Sequence, residues 1–421
     1  MTTERETSTS GLPSLAGAEW LAHPATRAVL AALRVAGYEG RVVGGSVRNA
    51  LMDLPVSDLD IATPATPEAV MKACARAGLA TVPTGLAHGT ITVIASHTRI
   101  EVTTLRRDVA TDGRHATIAY TEDWAEDAAR RDFTMNALYC DAEGRLYDFV
   151  GGYPDLVARR VRFIGNADER IAEDYLRILR FFRFQATYAT DAPDPAAMAA
   201  CARRLPGIAQ LSAERIRAEL VKLLVAPGAI AALHAMEDVG LLSLLLGRSP
   251  RLDLMERLAA AEADVGDAPD AMLRLSGLAV AEPGDVARLT SRLRLSSEER
   301  KALIVIDDRE VAELGTIDAH RAREIVFHRG GAVGRRLALA LAAVAPDRKA
   351  EATLLRETAA TWKPPVLPVS GADLIARGMQ PGPEIGALLA RLESWWIAQD
   401  FPPPERTLTQ LEALLAARGG N

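Results

Sequence analysis

Two glycines at the end of a short apolar run constrain this sequence more than any other feature. Val42 and Val43 favour a strand, and Gly44 and Gly45 favour a turn, because glycine adopts backbone conformations that other residues resist. Helix-forming sequence follows from Val47 to Met52, so the pattern predicts a strand, a turn and a helix in succession. A helix that begins at such a turn presents free N–H groups and the positive end of its dipole, which suits a phosphate group.

Charged side chains of both signs accompany this turn. Arg48 lies one turn into the predicted helix, where its guanidinium is placed to clasp a phosphate. Asp58 and Asp60 alternate with Leu59 and Ile61, so on a strand the carboxylates share one face and the apolar side chains the other. Neighbouring carboxylates repel unless a cation joins them, and Mg²⁺ favours carboxylates together with substrate phosphates. The pattern predicts a triphosphate on the glycine turn with its metal ions on the aspartates.

Either motif by itself has an ordinary structural explanation. Two glycines beside a strand are often only a turn, and Asp-x-Asp is often an Asx-type loop. In this order and spacing, GGSVRN at 44–49 and DLD at 58–60 resemble motifs of the tRNA nucleotidyltransferase and poly(A) polymerase family, the class II branch of the polymerase β-like superfamily. Asn49 stands where many relatives have Asp. The resemblance implies phosphate binding by the following residues: Gly44, Gly45, Ser46 and Arg48.

A third carboxylate is expected on a neighbouring strand. Residues 99–104 alternate between polar and apolar, which places Glu101 and Thr103 on one face. Two metal ions need several oxygen ligands, and the resemblance implies an acidic ligand in this region. We therefore predict that Asp58, Asp60 and Glu101 are catalytic metal ligands; the alternative is that Glu101 is an ordinary surface residue.

The string RRDFTMNAL at 130–138 matches another family motif almost letter for letter. The resemblance implies that Arg131 and Asp132 lie at the nucleotide, with Asp132 accepting a hydrogen bond from a ribose hydroxyl. Residues 106–124 show little periodicity and are predicted to form a mobile loop. In the family a flexible loop at this place is tied to the switch from adding C to adding A.

Residues 173–184 are predicted to form one helix on which Asp174, Arg177, Arg180 and Arg183 recur every three residues. On composition alone, a salt-bridged solvated face is the simpler interpretation. The sequence resembles the family motif that selects the nucleotide. A carboxylate only accepts and a guanidinium only donates, so Asp174 and Arg177 match the amine and ring nitrogen of cytosine and adenine. Uracil and guanine would mismatch both. Arg180 and Arg183 are expected to meet the base, the phosphates or the primer end.

The composition is that of a water-soluble globular protein. The 421 residues are 49% hydrophobic and 25% charged, with a net charge of −6, so no overall basic field indicates nucleic acid. The three cysteines are far apart, which suggests neither a disulfide framework nor a CxxC metal site. The start lacks a signal-peptide pattern and no apolar run approaches membrane-spanning length, so we expect a cytoplasmic protein without membrane contact.

The expected fold class is α+β, with a polymerase β-like nucleotidyltransferase head of mixed sheet and helices followed by an all-helical neck, body and tail. The resemblance covers most of the chain and is densest from about 40 to 220. A neck helix is predicted to begin after Ser212, and tail helices near Gly371 and Gly382. The predicted divisions are a flexible N-terminus at 1–18, the head at 19–155, the neck at 156–230, the body at 231–362 and a tRNA-binding tail at 363–421.

The implied reaction is template-independent addition of C, C and A to the 3′ end of tRNA from CTP and ATP, with two Mg²⁺ ions. Poly(A) polymerase and the A-adding member of a split CC/A pair are the nearest alternatives. A non-catalytic RNA-binding relative is a further one, although the metal carboxylates and the Asp174–Arg177 pair are both present. Oligomeric state is not indicated.

Overall fold

A computed structural model of the chain describes residues 11–111 and 116–417. The chain forms two compact units. The first contains the described residues up to Pro250 together with Arg292–Arg294, and the second contains Arg251–Ser291 and the described residues from Leu295 onward. The first unit holds the β-sheet and the second is helical, so the predicted α+β class is confirmed.

Within the described residues, a mixed seven-stranded sheet forms the centre of the first unit. Its strand order is β3-β4-β5-β2-β1-β8-β9, and β2 runs parallel to β5 while the other neighbours are antiparallel. The strands are β1 (Arg41–Val43), β2 (Leu59–Thr63), β3 (Ala80–Gly85), β4 (Thr90–Ala95), β5 (Thr98–Thr104), β8 (Leu138–Cys140) and β9 (Leu146–Asp148). A separate antiparallel pair consists of β6 (Arg106–Thr111) and β7 (Ala116–Tyr120).

Helices cover this sheet and continue beyond it in the first unit. They are α1 (Glu19–Ala22), α2 (Pro24–Val35), α3 (Gly45–Leu51), α4 (Pro67–Arg76), α5 (Trp124–Ala129), α6 (Gly152–Val157), α7 (Ala167–Glu173), α8 (Leu176–Tyr188), α9 (Pro195–Arg204), α10 (Ala213–Leu224), α11 (Ala229–Asp238) and α12 (Leu241–Leu246). The neck helix begins after Ser212 as predicted, because Ser212 accepts a hydrogen bond from the first turn of α10, and Thr66 caps α4 in the same way.

The alternation of side chains along β2 follows the prediction. Leu59 and Ile61 are buried, at 9% and 0% exposure, whereas Asp60 lies on the opposite face. Val42 of β1 pairs with Ile61 and is also 0% exposed, so both strands present apolar side chains to the face behind Asp60. The short strands that carry the charged residues are therefore held from behind by apolar packing.

Two of the secondary-structure predictions are wrong. Much of the expected loop at 106–124 is the β6–β7 hairpin, whose strands pair with each other rather than with the main sheet. Residues 112–115 of that loop lie outside the described residues. The expected single helix over 173–184 is two helices, because the backbone of Asp174 is extended (φ −153°) and ends α7 before α8 begins.

The second unit consists of packed helices. They are α13 (Leu252–Asp264), α14 (Ala271–Ala279), α15 (Pro283–Leu293), α16 (Ser297–Ala302), α17 (Asp308–Glu313), α18 (Ala319–Arg329), α19 (Gly331–Val344), α20 (Lys349–Thr361), α21 (Gly371–Ala376), α22 (Pro383–Ala398) and α23 (Pro404–Ala416). The predicted tail helices correspond to α21 and α22, after an irregular segment at 362–370. Across the described part of the chain, no helix combines the length and apolar character needed to cross a membrane.

Candidate active site

The glycine turn forms the entry to α3, as the sequence predicts. Gly44 has a φ of +78°, a conformation that L side chains rarely adopt, and its N–H donates to the carbonyl of Leu138 at 3.3 Å. The hydroxyl of Ser46 donates to the main-chain oxygen of Asp58 at 2.5 Å. Ser46 is 1% exposed, so it fixes the glycine turn to the start of the acidic strand.

Two of the predicted carboxylates lie side by side on neighbouring strands. Asp60 of β2 is in direct register with Glu101 of the parallel strand β5. Burial, the charge of Glu101 and, to a smaller extent, that of Asp58 raise the pKa of Asp60 to about 6, against the lowering effect of Arg131. Asp58 itself is exposed just before β2, and one of its oxygens accepts a hydrogen bond from Ser57 at 3.0 Å.

The chemistry of this acidic end suits a hard divalent cation. Carboxylate oxygens are the preferred ligands of Mg²⁺, and the mutual repulsion around Asp60 is what a cation would relieve. Among residues 11–111 and 116–417, no group of three acidic, His or Cys side chains is gathered closely enough to bind a metal ion. Asp58 and Glu101 are exposed, so their side chains have room to turn toward Asp60.

A buried ion-pair cluster lies beside the glycine turn. Asp127 of α5 is 1% exposed and accepts hydrogen bonds from Arg130 (2.7 Å), Arg131 (3.0 Å) and the Tyr139 hydroxyl (2.7 Å). Burial alone would raise the Asp127 pKa, but the two arginines and Tyr139 lower it to about 2. A Cβ placed on Gly44 would lie 3.8 Å from Nη1 of Arg131, so the turn closely approaches this guanidinium.

Asp132 joins this region to helix α8. One oxygen accepts from the N–H of Phe133 (2.8 Å) and from Asn136 (2.9 Å), and the other accepts two bonds from Arg180 (2.8 and 2.5 Å). Burial opposes ionisation, but Arg180 and these hydrogen bonds lower the Asp132 pKa to about 2. Because all four acceptor positions are used, a ribose hydroxyl must displace one of these donors to reach Asp132.

The break between α7 and α8 changes how the nucleotide-selecting motif is held. Asp174 does not pair with Arg177; one oxygen caps the N–H of Leu176 at 3.0 Å, and the other accepts from Arg215 of α10 at 2.7 Å. Arg177 instead pairs with Glu173 and donates to the carbonyls of Arg170 (2.7 Å) and Arg130 (3.3 Å). Both side chains are thereby oriented before any base arrives.

Helix α10 also contacts the later arginines of the nucleotide-selecting motif, Arg180 and Arg183. Glu219 accepts from Arg183 at 2.5 Å and lies 3.9 Å from Arg180. Arg215 and Glu219 lie four residues apart on α10, a spacing that allows them to pair, but each binds a residue of another segment. Such long-range pairing has no sequence signal, because it depends on how α10 packs against α8.

A cleft of about 360 Å³ collects most of the predicted nucleotide-binding residues. Its lining is Gly44, Gly45, Arg48, Asp60, Arg130, Arg131, Asp132, Asn136, Asp174, Arg177, Arg180 and Phe184. Four predicted residues are not part of this lining: Ser46, Asp58, Glu101 and Arg183. One cleft therefore contains the glycine turn, the carboxylate of Asp60, and the acid and arginine expected to recognise a base.

Known proteins are similar to this chain over most of its length. Residues 40–162 match the family described as the poly A polymerase head domain, and 192–254 match the probable RNA and SrmB-binding site of polymerase A. The mitochondrial CCA tRNA nucleotidyltransferase 1 of Mus musculus is 37% identical over 366 residues, which are 85% of this chain and 83% of that protein. The chain belongs to the CCA tRNA nucleotidyltransferase family. It is accordingly an enzyme, and this family implies use of a divalent metal ion.

Other members of this family extend the similarity. The CCA-adding enzyme of Latilactobacillus sakei is 29% identical over 92% of this chain and 96% of its own length. The solved structure of the Bacillus stearothermophilus CCA-adding enzyme in complex with CTP matches with a TM-score of 0.70 and 26% identity, covering 94% of this chain and 98% of that one. The Thermotoga maritima CCA-adding enzyme complexed with tRNA shares the fold, with a TM-score of 0.62, 19% identity and coverage of 92% and 94%.

Several residues in the cleft or in contact with its lining were not singled out from the sequence. Asn136 lies inside the quoted string at 130–138 and could have been included with Arg131 and Asp132. Asp127 precedes Arg130 and Arg131 by three and four residues, a helical spacing that indicates an ion pair. Phe184 ends the string at 173–184 and Arg215 lies in the predicted neck helix, but the residues that they contact depend on how separate helices pack.

Proposed function

We propose that this enzyme adds C, C and A to the 3′ end of tRNA, using CTP and ATP and releasing pyrophosphate. The observation that supports this most directly is the single cleft that contains the glycine turn, Asp60, and the Asp174 and Arg177 side chains. A nucleotide bound there would have its triphosphate near the acidic strand and its base near α8. The family relationship supports the same reaction.

Asp58, Asp60 and Glu101 are the residues that would hold Mg²⁺. When bound, Mg²⁺ supplies Lewis acidity that activates the tRNA 3′-hydroxyl and stabilises the charge on the pyrophosphate group. The contribution of the chain is to keep the carboxylates adjacent, through the Asp60–Glu101 register and the Ser46–Asp58 bond. The N–H groups at the start of α3 face the phosphates at Gly44 and Gly45.

Asp174 and Arg177 retain hydrogen-bonding capacity for a base. Asp174 uses two of about four acceptor positions on Leu176 and Arg215, so it can still accept the exocyclic amine of C or A. Arg177 keeps its Nε–H and one Nη2–H for the ring nitrogen. A base with a carbonyl at the amine position would set an acceptor against a carboxylate, which disfavours U and G.

A tRNA transcript without its CCA end tests this function. The enzyme is incubated with the transcript, Mg²⁺, and CTP or ATP singly and together, and products are resolved to one nucleotide. Two added residues with CTP alone and three with both, followed by a stop, are expected. A long ladder with ATP alone would indicate poly(A) synthesis, and addition of A only to a transcript ending in CC would indicate an A-adding enzyme.

The remaining sequence expectations stay predictions. These are the five-part domain division, the role of residues 106–124 in the switch from C to A, and tRNA binding by the tail. A cytoplasmic location is also a prediction, and the mouse and human relatives are named as mitochondrial.

A further inference from the structure

The arginines that line the cleft differ in the charge of their partners. Four of them are paired with carboxylates: Arg130 and Arg131 with Asp127, Arg177 with Glu173, and Arg180 with Asp132. A carboxylate beside each of these arginines offsets part of its positive charge, with Asp127 shared between Arg130 and Arg131. These arginines are consequently better suited to direct hydrogen bonds than to the attraction of a multiply charged anion.

Arg48 is the exception among the described lining residues. Its Nε and Nη2 donate to the Asn49 amide oxygen (3.1 and 2.8 Å), its Nη1 donates to the Asn136 amide oxygen, and its Nη2 donates to the Tyr188 hydroxyl (2.7 Å). Nowhere in the described part of the chain does a carboxylate come within 4.0 Å of its nitrogen atoms. Neutral groups hold the guanidinium, and one Nη1–H remains for a ligand.

The burial of Arg48 makes this arrangement unfavourable without an anion. The residue is 7% exposed, and burial lowers its pKa. A buried charge without a counter-ion is destabilising, whereas binding of an anion supplies the missing partner. Arg48 lies in the first turns of α3, directly after the glycine turn, so a polyphosphate chain on that turn is the anion it would meet.

Of the three neutral partners, Tyr188 is the most distant from Arg48 in the sequence, at 140 residues. It is the last residue of α8, it is 7% exposed, and its ring centroid lies 4.3 Å from Cζ of Arg48. The ring and the hydroxyl therefore fix the guanidinium from one side without neutralising it. We propose that Tyr188 is a positioning residue that holds Arg48 toward the triphosphate of the incoming nucleotide while leaving its positive charge uncompensated. This inference rests on the proposed function.

The variant Tyr188→Phe tests the inference because it removes the hydroxyl and keeps the ring. The affinities of the full-length enzyme for CTP and ATP are measured by calorimetry, and kcat and KM by extension of the tRNA transcript. Loss of one hydrogen bond to a charged group predicts that both affinities fall by about tenfold, with kcat changed little. CTP and ATP should be affected equally, since the triphosphate is common to both, and the preference for CTP over UTP should be unchanged.

Tyr147→Phe is the matched control. Its hydroxyl donates to Asp141 at 3.0 Å, Arg41 packs over its ring, and it is not part of the cleft lining. It should leave CTP affinity unchanged although it also removes a tyrosine hydroxyl. Equal CTP affinity in Tyr188→Phe and the unmodified enzyme, or a loss confined to one base, would overturn the inference. If the unmodified enzyme does not extend tRNA, the proposed function fails, but the CTP and ATP affinities still decide the role of Tyr188.

Discussion

The two ends of the cleft use similar charged residues in opposite ways. At the acidic end, Asp60 faces Glu101 with Asp58 nearby, so like charges adjoin one another and the Asp60 pKa rises to about 6. At the other end, Asp127 is paired with Arg130 and Arg131, Asp132 is paired with Arg180, and both pKa values fall to about 2. Folding therefore leaves like charges adjacent at the acidic end and pairs opposite charges at the other end.

This difference separates what a ligand must complete from what the fold completes by itself. At the acidic end, the repulsion between carboxylates is relieved only when a cation binds. These carboxylates should therefore contribute to catalysis and contribute little to the stability of the fold. At the other end, Asp127 and Asp132 form ion pairs with arginines in the absence of a ligand. These carboxylates should therefore contribute strongly to the stability of the fold. The same substitution, Asp to Asn, can therefore be compared at both ends.

The largest effect is expected for Asp60→Asn. Loss of a metal-binding carboxylate should lower the rate of nucleotide addition by roughly a thousandfold or more, the equivalent of about 4 kcal/mol of transition-state stabilisation. Stability should not fall, because the change removes a repelling charge. Single-turnover extension, tRNA affinity and urea denaturation measure these quantities.

Asp53→Asn is the control for this experiment. Asp53 is exposed in the turn after α3 and has a positive φ that Asn tolerates. It should retain full activity. Nucleotide addition by Asp60→Asn at a rate near that of Asp53→Asn would show that the acidic end is not the catalytic centre.

Asp127→Asn should show the reverse pattern, with the main effect on stability. It leaves Arg130 and Arg131 without a buried counter-charge, and breaking such a pair costs about 3 kcal/mol in the free energy of unfolding. Urea denaturation at pH 7 measures the loss. An unfolding free energy like that of the unmodified protein would mean that the two ends do not differ in the way described.

The pH dependence of stability also tests the stabilising role of Asp127. The pKa of Asp127 is lowered to about 2 in the folded protein, so its stabilising contribution is present above pH 4 and is lost as the pH falls toward 2. The difference in unfolding free energy between the unmodified protein and Asp127→Asn should therefore shrink by roughly 2 kcal/mol over this interval. Denaturation curves at pH 5, 4 and 3 follow the trend; a constant difference would contradict the assignment.

The smallest effect is expected for Arg215→Ala. Arg215 holds one oxygen of Asp174 at 2.7 Å, and without it the carboxylate is free to turn away from the base. The ratio of kcat/KM for CTP to that for UTP should fall by about tenfold, the equivalent of one hydrogen bond to a charged group. Arg215→Lys should restore part of the ratio. An unchanged preference in Arg215→Ala would mean that Asp174 needs no support from α10.

Much of the site could be predicted from the sequence where the determining interactions are local. The turn at Gly44, the alternation of Leu59 and Ile61 with Asp60, and the cap at Ser212 all depend on neighbours within a few residues. Glu101 was placed on a strand beside Asp60 because residues 99–104 alternate and the family resemblance implies an acidic ligand there, and the register of β2 and β5 confirms the neighbouring strands. The β6–β7 hairpin was missed because its sequence has weak periodicity.

The sequence by itself determined most of the strands, turns and helices that carry these charges, although not the break between α7 and α8, because steric and hydrogen-bonding rules act over short distances. Only the tertiary structure decided which charges meet. Asp174 lies between two helices and binds Arg215, 41 residues away, and Arg48 binds Tyr188, 140 residues away. Partners of this kind are selected by how helices pack in three dimensions, and many arginines in the sequence offer the same chemistry. Packing therefore determined at which end of the cleft the positive and negative charges are paired, and at which end the carboxylates remain available for a cation.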